Sequence, residues 1–295
     1  MKLLPITQRK IAAPEPPPWA REVAGYEADE LGNAADLQIS EHNGMRLISV
    51  ALRGCREFAS EDLRREVREG YHRIFRELQG FHPMRFWNFI PDIARVEAAE
   101  LDRYMVFNAA RHNAFLDLYG TEEALGRNLR TATAIGHDEP DLFIHCLAGE
   151  FPCEAVENPR QIPAWRYSNA YGPKPPSFSR ASIARLGRDE EPQLLIGGTA
   201  SIRGEASRHL EDLAKQIQET IRNLSELIAN AAGDSANPLT RLTSLRVYRS
   251  TTIGERRMES SLRPFLPPDL PIEHRLATLC RTELLVEVEG TARLD

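Results

Sequence analysis

One order of apolar spacings occurs twice along the chain, and it restricts the fold more than any single motif does. Arg46 to Leu52 alternates as a strand, and Ser60, a residue suited to an N-cap, precedes Glu61 to Leu78, where Leu63, Val67, Ile74, Phe75 and Leu78 keep helical spacing. Met84 to Ile90 is an aromatic-rich strand stopped by Pro91. Leu101 to Tyr119 is a second helix, with Tyr104, Phe107, Ala110, Ala114 and Leu118 on one stripe and Gly120 at its end. Ala132 to Gly136 and Leu142 to Leu147 follow as two strands across a polar turn. The second half keeps that order: a strand at Leu194 to Gly198, a helix from about Glu205 to Ala231, a strand at Leu242 to Arg249, an irregular helix at Gly254 to Leu266, and strands at Arg275 to Cys280 and Leu284 to Glu289. No residue-by-residue repeat accompanies this order. It implies an α+β fold made of two copies of one unit, each laying two helices on one face of a mixed sheet.

The expected divisions are an extended N-terminal arm over 1–20, an N-terminal unit over 21–156 and a C-terminal unit over 157–295, with a ligand cleft at their junction, where pockets concentrate. The run Ala12-Ala13-Pro14-Glu15-Pro16-Pro17-Pro18 argues for the extended arm, since proline lacks the amide that helices and central strands need. With 42% apolar and 27% charged residues and a net charge of -6, the composition is that of a globular protein and gives no electrostatic reason to expect nucleic acid. No stretch approaches eighteen apolar residues and the N-terminus has no apolar core of signal-peptide length, so a soluble cytoplasmic protein with no membrane partner is expected. The four cysteines show no CxxC spacing and the eight histidines no HxxxH or HxH pair, so neither a metal nor another cofactor is indicated. GxSxG and GxGxxG signatures are also lacking.

Three segments carry residue types suited to chemistry. Glu157 to Tyr167 and Tyr171 to Arg180 pack basic and aromatic side chains between prolines, which fix the backbone and present Arg160, Arg166 and Arg180 at low conformational cost. Arginine grips carboxylates bidentately, so a small acid is the expected ligand; a surface loop of solvated charges fits the same composition. In Leu284-Leu285-Val286-Glu287-Val288-Glu289 the period of two puts Leu284, Val286 and Val288 on one face and Leu285, Glu287 and Glu289 on the other. Enclosed in a pocket, two neighbouring carboxylates oppose each other's ionisation, and one can stay protonated as a general acid; on an open face they are ordinary solvated glutamates. Gly197-Gly198-Thr199-Ala200-Ser201 at a strand end would let backbone approach a ligand, or is simply a bulge.

Together these segments resemble the chorismatases, enzymes that remove pyruvate from chorismate. The resemblance rests on Arg85-Phe86-Trp87-Asn88-Phe89-Ile90-Pro91-Asp92-Ile93, Arg103-Tyr104-Met105-Val106-Phe107-Asn108, the two proline-rich runs, Gly198-Thr199-Ala200-Ser201-Ile202, and Cys280-Arg281 with the strand that follows. Trp165, Lys174 and Gly204-Glu205-Ala206-Ser207 depart from the family pattern. The resemblance implies a YjgF-like fold, that of the small enamine and imine deaminases, duplicated in one chain, and the internal duplication leads to the expectation of a monomer. It implies Glu287 as the catalytic acid and chorismate bound by Arg160, Arg166, Tyr171, Arg180, Gly197, Gly198, Thr199 and Cys280. A cysteine at 280 is similar to the branch that makes 3-hydroxybenzoate. Hydrolysis to a dihydroxycyclohexadiene carboxylate, mixed 3- and 4-hydroxybenzoate, an imine deaminase activity and a non-catalytic aromatic-acid module are the alternatives.

Overall fold

The computed structural model describes residues 10–26, 36–97 and 101–295. Prolines fit the first turn of a helix, where no amide partner is required, and α1 (Pro18–Val23) begins on one, so the end of the expected extended arm is helical. The first unit continues with β1 (Leu37–His42), β2 (Met45–Leu52), α2 (Ser60–Glu77), β3 (His82–Pro91), α3 (Arg103–Tyr119), α4 (Glu122–Asn128), β4 (Thr131–His137) and β5 (Leu142–Gly149). The second comprises β6 (Glu154–Val156), β7 (Ala181–Arg185), β8 (Pro192–Ala200), β9 (Ile202–Arg203), β10 (Ala206–Ser207), α5 (Leu213–Ala232), β11 (Leu242–Arg249), α6 (Glu255–Leu262), β12 (Ile272–Leu276), β13 (Thr278–Leu279) and β14 (Val286–Arg293).

The strands form two six-stranded sheets, β1-β2-β5-β3-β4-β13 and β12-β11-β14-β8-β7-β6, beside a small β9–β10 ribbon. Removing the edge strands β13 and β6 leaves one order in both: hairpin, central strand, then a parallel pair, β3 with β4 and β11 with β12. The duplication is therefore present in topology as well as in element order. Since β6 pairs with β7, the second sheet starts before residue 157.

Several expectations change at element ends. Ser60 lies inside the first turn of α2 behind Ala59 and reaches Glu97 at 3.4 Å instead of capping. α5 starts at Leu213, not near Glu205, because Asp212 caps it through the Lys215 amide and the preceding residues form the ribbon. The strand expected over Arg275 to Cys280 divides: Ile272–Leu276 stays in the second sheet, whereas Thr278–Leu279 pairs with β4 of the first. β14 begins at Val286, so Leu284 joins the inner layer and Leu285 packs on the helical side, the reverse of strict alternation.

Each sheet buries one face under helices. Leu63, Val67 and Tyr71 of α2 and Phe107, Ala114 and Phe115 of α3 pack on Phe86, Ile90 and Ile144, and α5 with α6 covers Leu194, Val247, Val286 and Val288. The opposite faces meet in a third core of Leu47, Met84, Trp87 and Leu147 against Leu195, Ala200 and Tyr248. Each such fully buried apolar side chain contributes roughly 1.5–3 kcal/mol. The outcome is four layers, helix, sheet, sheet and helix. Arg85, Glu287 and Glu289 lie in the inner core, where alternation normally places apolar residues.

Candidate active site

Alternation along β14 sends Val286 and Val288 toward the helices and Glu287 and Glu289 into the layer between the sheets, where they are only 5% and 2% exposed. Two residues apart, they have opposite surroundings. Glu289 accepts hydrogen bonds from Arg85 Nη2 at 2.7 Å, Tyr248 hydroxyl at 2.9 Å, Trp87 Nε1 at 3.1 Å and the Thr133 hydroxyl. Glu287 accepts none from the described residues, and its carboxyl helps to line a cavity of about 470 Å³. Burial, reinforced by the charge of Glu289, pushes the Glu287 carboxyl up to about 8 against the opposing pull of Arg85, Arg180 and Arg281. At neutral pH it is a carboxylic acid with a proton to give.

A bulge sets its position. Glu287 pairs with Ala200 and Val288 with Thr199, but Gly290 pairs with Ile196, so the single residue Glu289 stands opposite both Gly197 and Gly198. Gly197 rests on backbone, its amide on the Arg180 carbonyl and its Cα beside the Ala132 carbonyl. A methyl group added at Gly198 would lie 2.1 Å from Glu287 Oε1, so the carboxyl occupies space that any larger residue would claim.

The cavity wall carries three arginines. Arg180 is buried, and its Nη2 donates to the Tyr167 hydroxyl at 2.6 Å and the Ile162 carbonyl at 3.1 Å, while its Nε has no partner among the described residues. Arg281 lies 4.1 Å over the Tyr171 ring and is held by the Glu205 carbonyl at 2.8 Å. Arg111 on α3 is fully buried, its Nε and Nη2 have no hydrogen-bond partner among the described residues, and the rings of Tyr71 and Phe115 lie against it. A buried guanidinium without a counter-ion is costly, which makes this wall a place for an anion. Asp102 and Glu283 also line the cavity, but each is engaged, Asp102 as the cap of α3 and Glu283 with the Ser207 hydroxyl.

Of the residues expected at the site, the structure gathers Glu287, Arg180, Tyr171, Gly198 and Cys280 around this cavity. Cys280 follows β13, and burial pushes its thiol far up, which leaves it an unreactive part of the wall. Arg160 does not line the cavity: its guanidinium pairs with Glu219 at 2.5 Å and Asn223 at 2.9 Å on α5. Arg166 is exposed and stacks 4.4 Å over Trp165, away from the cavity. Gly197 and Thr199 lie behind the wall, the threonine hydroxyl donating to the Gly197 carbonyl at 3.0 Å. Arg111, Arg281 and Tyr104 were not anticipated. Arg111 did leave a trace, because Phe107, Arg111 and Phe115 share an i, i+4 stripe on which a charge is out of place. No group of histidine, cysteine or acidic side chains among the described residues could hold a metal ion, and no helix among them is long and apolar enough to cross a membrane.

Residues 24–148 match the family model described as chorismatase FkbO/Hyg5-like, N-terminal. A 3-hydroxybenzoate synthase of Streptomyces hygroscopicus is 32% identical over 239 residues, 76% of this chain and 68% of that protein. The chain belongs to the chorismatase family. A chorismatase of Streptomyces rapamycinicus is 30% identical over 70% of this chain and 62% of its own length, so the chain spans less than two thirds of that relative. The crystal structure of a chorismatase superposes with a TM-score of 0.74 at 24% identity, covering 89% of this chain and 78% of the other, which gives the two chains one fold.

Proposed function

We propose that this chorismatase converts chorismate to 3-hydroxybenzoate and pyruvate, with Glu287 as proton donor. The observation that carries the proposal is a buried carboxyl without a hydrogen-bond donor among the described residues, its pKa raised by burial, facing a wall of arginines, the two features an enol ether bearing two carboxylates requires. Arg180 and Arg281, whose charges act on Glu287, hold the enolpyruvyl carboxylate beside the acid. Arg111 meets the ring carboxylate and is the substrate contact for which the sequence offered Arg160 and Arg166.

Transfer of the Glu287 proton to the methylene carbon leaves an oxocarbenium centre on the enol ether and an anionic Glu287. The neighbouring ring hydroxyl attacks the carbon that bears the ether, the ring carbon–oxygen bond breaks, and its electron pair stays with the departing pyruvate as the carbonyl oxygen. The hydroxyl proton returns to Glu287. The resulting epoxide opens at the former hydroxyl carbon with the electron pair of that bond going to the oxygen, and transfer of the proton from the adjacent, oxygen-bearing ring carbon to that oxygen restores aromaticity, giving 3-hydroxybenzoate. Chorismate equals the sum of the two products, so no water is consumed and excluding water favours this route over hydrolysis. Cys280 supports that branch by filling wall space next to the acid, with its thiol protonated. The internal duplication, which presents both sheets from one chain, supports a monomer as the working form.

Incubation of the purified protein with chorismate, followed by chromatography, tests the proposal. Equimolar pyruvate and 3-hydroxybenzoate are expected without added metal or cofactor. Pyruvate with a dihydroxycyclohexadiene carboxylate would assign the hydrolytic branch, and no pyruvate would refute the activity.

A further inference from the structure

Glu289 neither lines the active-site cavity nor touches any reacting atom, yet four side-chain donors converge on it between the sheets. Its partner Arg85 is 1% exposed, lies on β3 of the first sheet, and is one of the charges acting on Glu287. A buried guanidinium beside two carboxyls will hold at least one of them as an anion. The donors around Glu289 decide which: Arg85, Trp87, Thr133 and Tyr248 converge on it, with Arg246 Nη1 at 3.7 Å, whereas Glu287 is offered none of them.

We infer that Glu289 is a positioning residue that occupies Arg85, so that this guanidinium cannot hold Glu287 as an anion and the catalytic proton is retained. The inference rests on Glu287 being the proton donor. The other groups around Glu287 are Tyr104 and Arg111 on α3, Arg180 ahead of β7, Cys280 and Arg281 ahead of β14, and Gly198 on β8. None of them supplies a carboxylate to take the place of Glu289, since Asp102 and Glu283 are bound elsewhere in the wall.

The test is the pH dependence of kcat/KM for pyruvate release. An acid that must be protonated gives a rate that falls as pH rises through its pKa, so the wild-type limb lies near pH 8. In Glu289→Gln the charge that opposes ionisation is gone and Arg85 is free to pair with Glu287. The limb moves down by at least about one unit, which is at least about five-fold in rate at pH 8 and about ten-fold above pH 9, while the difference narrows toward pH 5.5. In the double variant Arg85→Met with Glu289→Gln both charges disappear and the limb returns toward the wild-type position. An unmoved limb in the single variant, an equal loss at every pH, or a double variant that stays with the single one would overturn the inference. If the single variant does not fold, the double variant leaves neither ion of this pair unpaired and carries the test: a limb more than about one unit below wild type would overturn it. The infrared carbonyl band of protonated Glu287, identified as the band missing from Glu287→Gln, reads the same shifts without turnover. Wild-type protein that releases no pyruvate therefore defeats the proposed activity while leaving this test available.

Discussion

The central strands of the two sheets, β5 and β14, hold the same place in the duplicated topology and have diverged in what they present to the inner layer. On β5 the inward residues are Phe143, His145 and Leu147, and the imidazole bonds to Ser49 at 2.7 Å while burial lowers its pKa to about 3. On β14 they are Glu287, Glu289 and Thr291. The neighbouring strands differ in the same sense: β2 pairs with β5 in unbroken register from Met45 to Leu52, whereas β8 bulges at Gly197 and Gly198 against β14. One copy keeps an unbroken β2–β5 ladder with no carboxylate on the inward face of its central strand and serves as scaffold. The other is opened by the bulge, and the space gained is where the acid sits. Duplication thus supplies two walls for one site, with Arg111 contributed by the scaffold copy and Arg85 of the same copy held on Glu289 behind the cavity.

The largest effect expected from breaking this asymmetry is in Glu287→Gln, which should lower kcat by about 10²–10⁴, measured as pyruvate release, with the fold retained by circular dichroism. It should also be more stable than wild type. The folded pKa of Glu287 is raised from 4.5 to about 8, so the stability this carboxyl contributes is complete below pH 4.5 and is lost as pH rises to about 8. Melting curves at pH 7 should therefore favour the variant. His145→Ala is the converse in the scaffold copy: stability should fall by roughly 1–3 kcal/mol while the alkaline limb of kcat/KM stays in place. His145 is held neutral in the fold, so its own penalty appears on acidification, as pH falls below 6.5 toward 3.

Arg111→Met should weaken substrate binding by roughly 1.5–3 kcal/mol, read as a rise in KM of about 10–150-fold, with a small gain in stability because an uncompensated buried charge is removed. Gly198→Ala should displace the Glu287 carboxyl, the far end of a movable side chain, and lower kcat by about ten-fold while shifting Tm by only a few degrees. The smallest effect is expected at Cys280→Ala, which should keep the rate and move product toward the diene diol. An unchanged product ratio would make the cysteine simple filling.

The repeated element order was readable because helices such as α2 and α5 bury one regular stripe. The pairing of Glu287 with Glu289 on one face was readable for the same reason. What alternation does not encode is where a strand departs from it. The bulge at Gly197 and Gly198, the early start of the second sheet at Glu154 and the transfer of Thr278–Leu279 to the first sheet all depend on partners distant in sequence. Arg160 shows the same limit: its spacing next to proline and aromatic residues suits a ligand site, but Glu219 on α5 claims it. Arg111 lay within an apolar stripe, where the lack of a hydrogen-bond partner for its Nε and Nη2 among the described residues distinguishes a site residue from a structural one.

The protonation state of Glu287 is the most direct test. The infrared difference between wild-type protein and Glu287→Gln, titrated from pH 5 to 10, should show a protonated carboxyl band that persists through neutrality and disappears near pH 8. A band already absent at pH 5 would mean that this carboxyl is an ordinary ionised glutamate, and the proton it is said to donate would not exist.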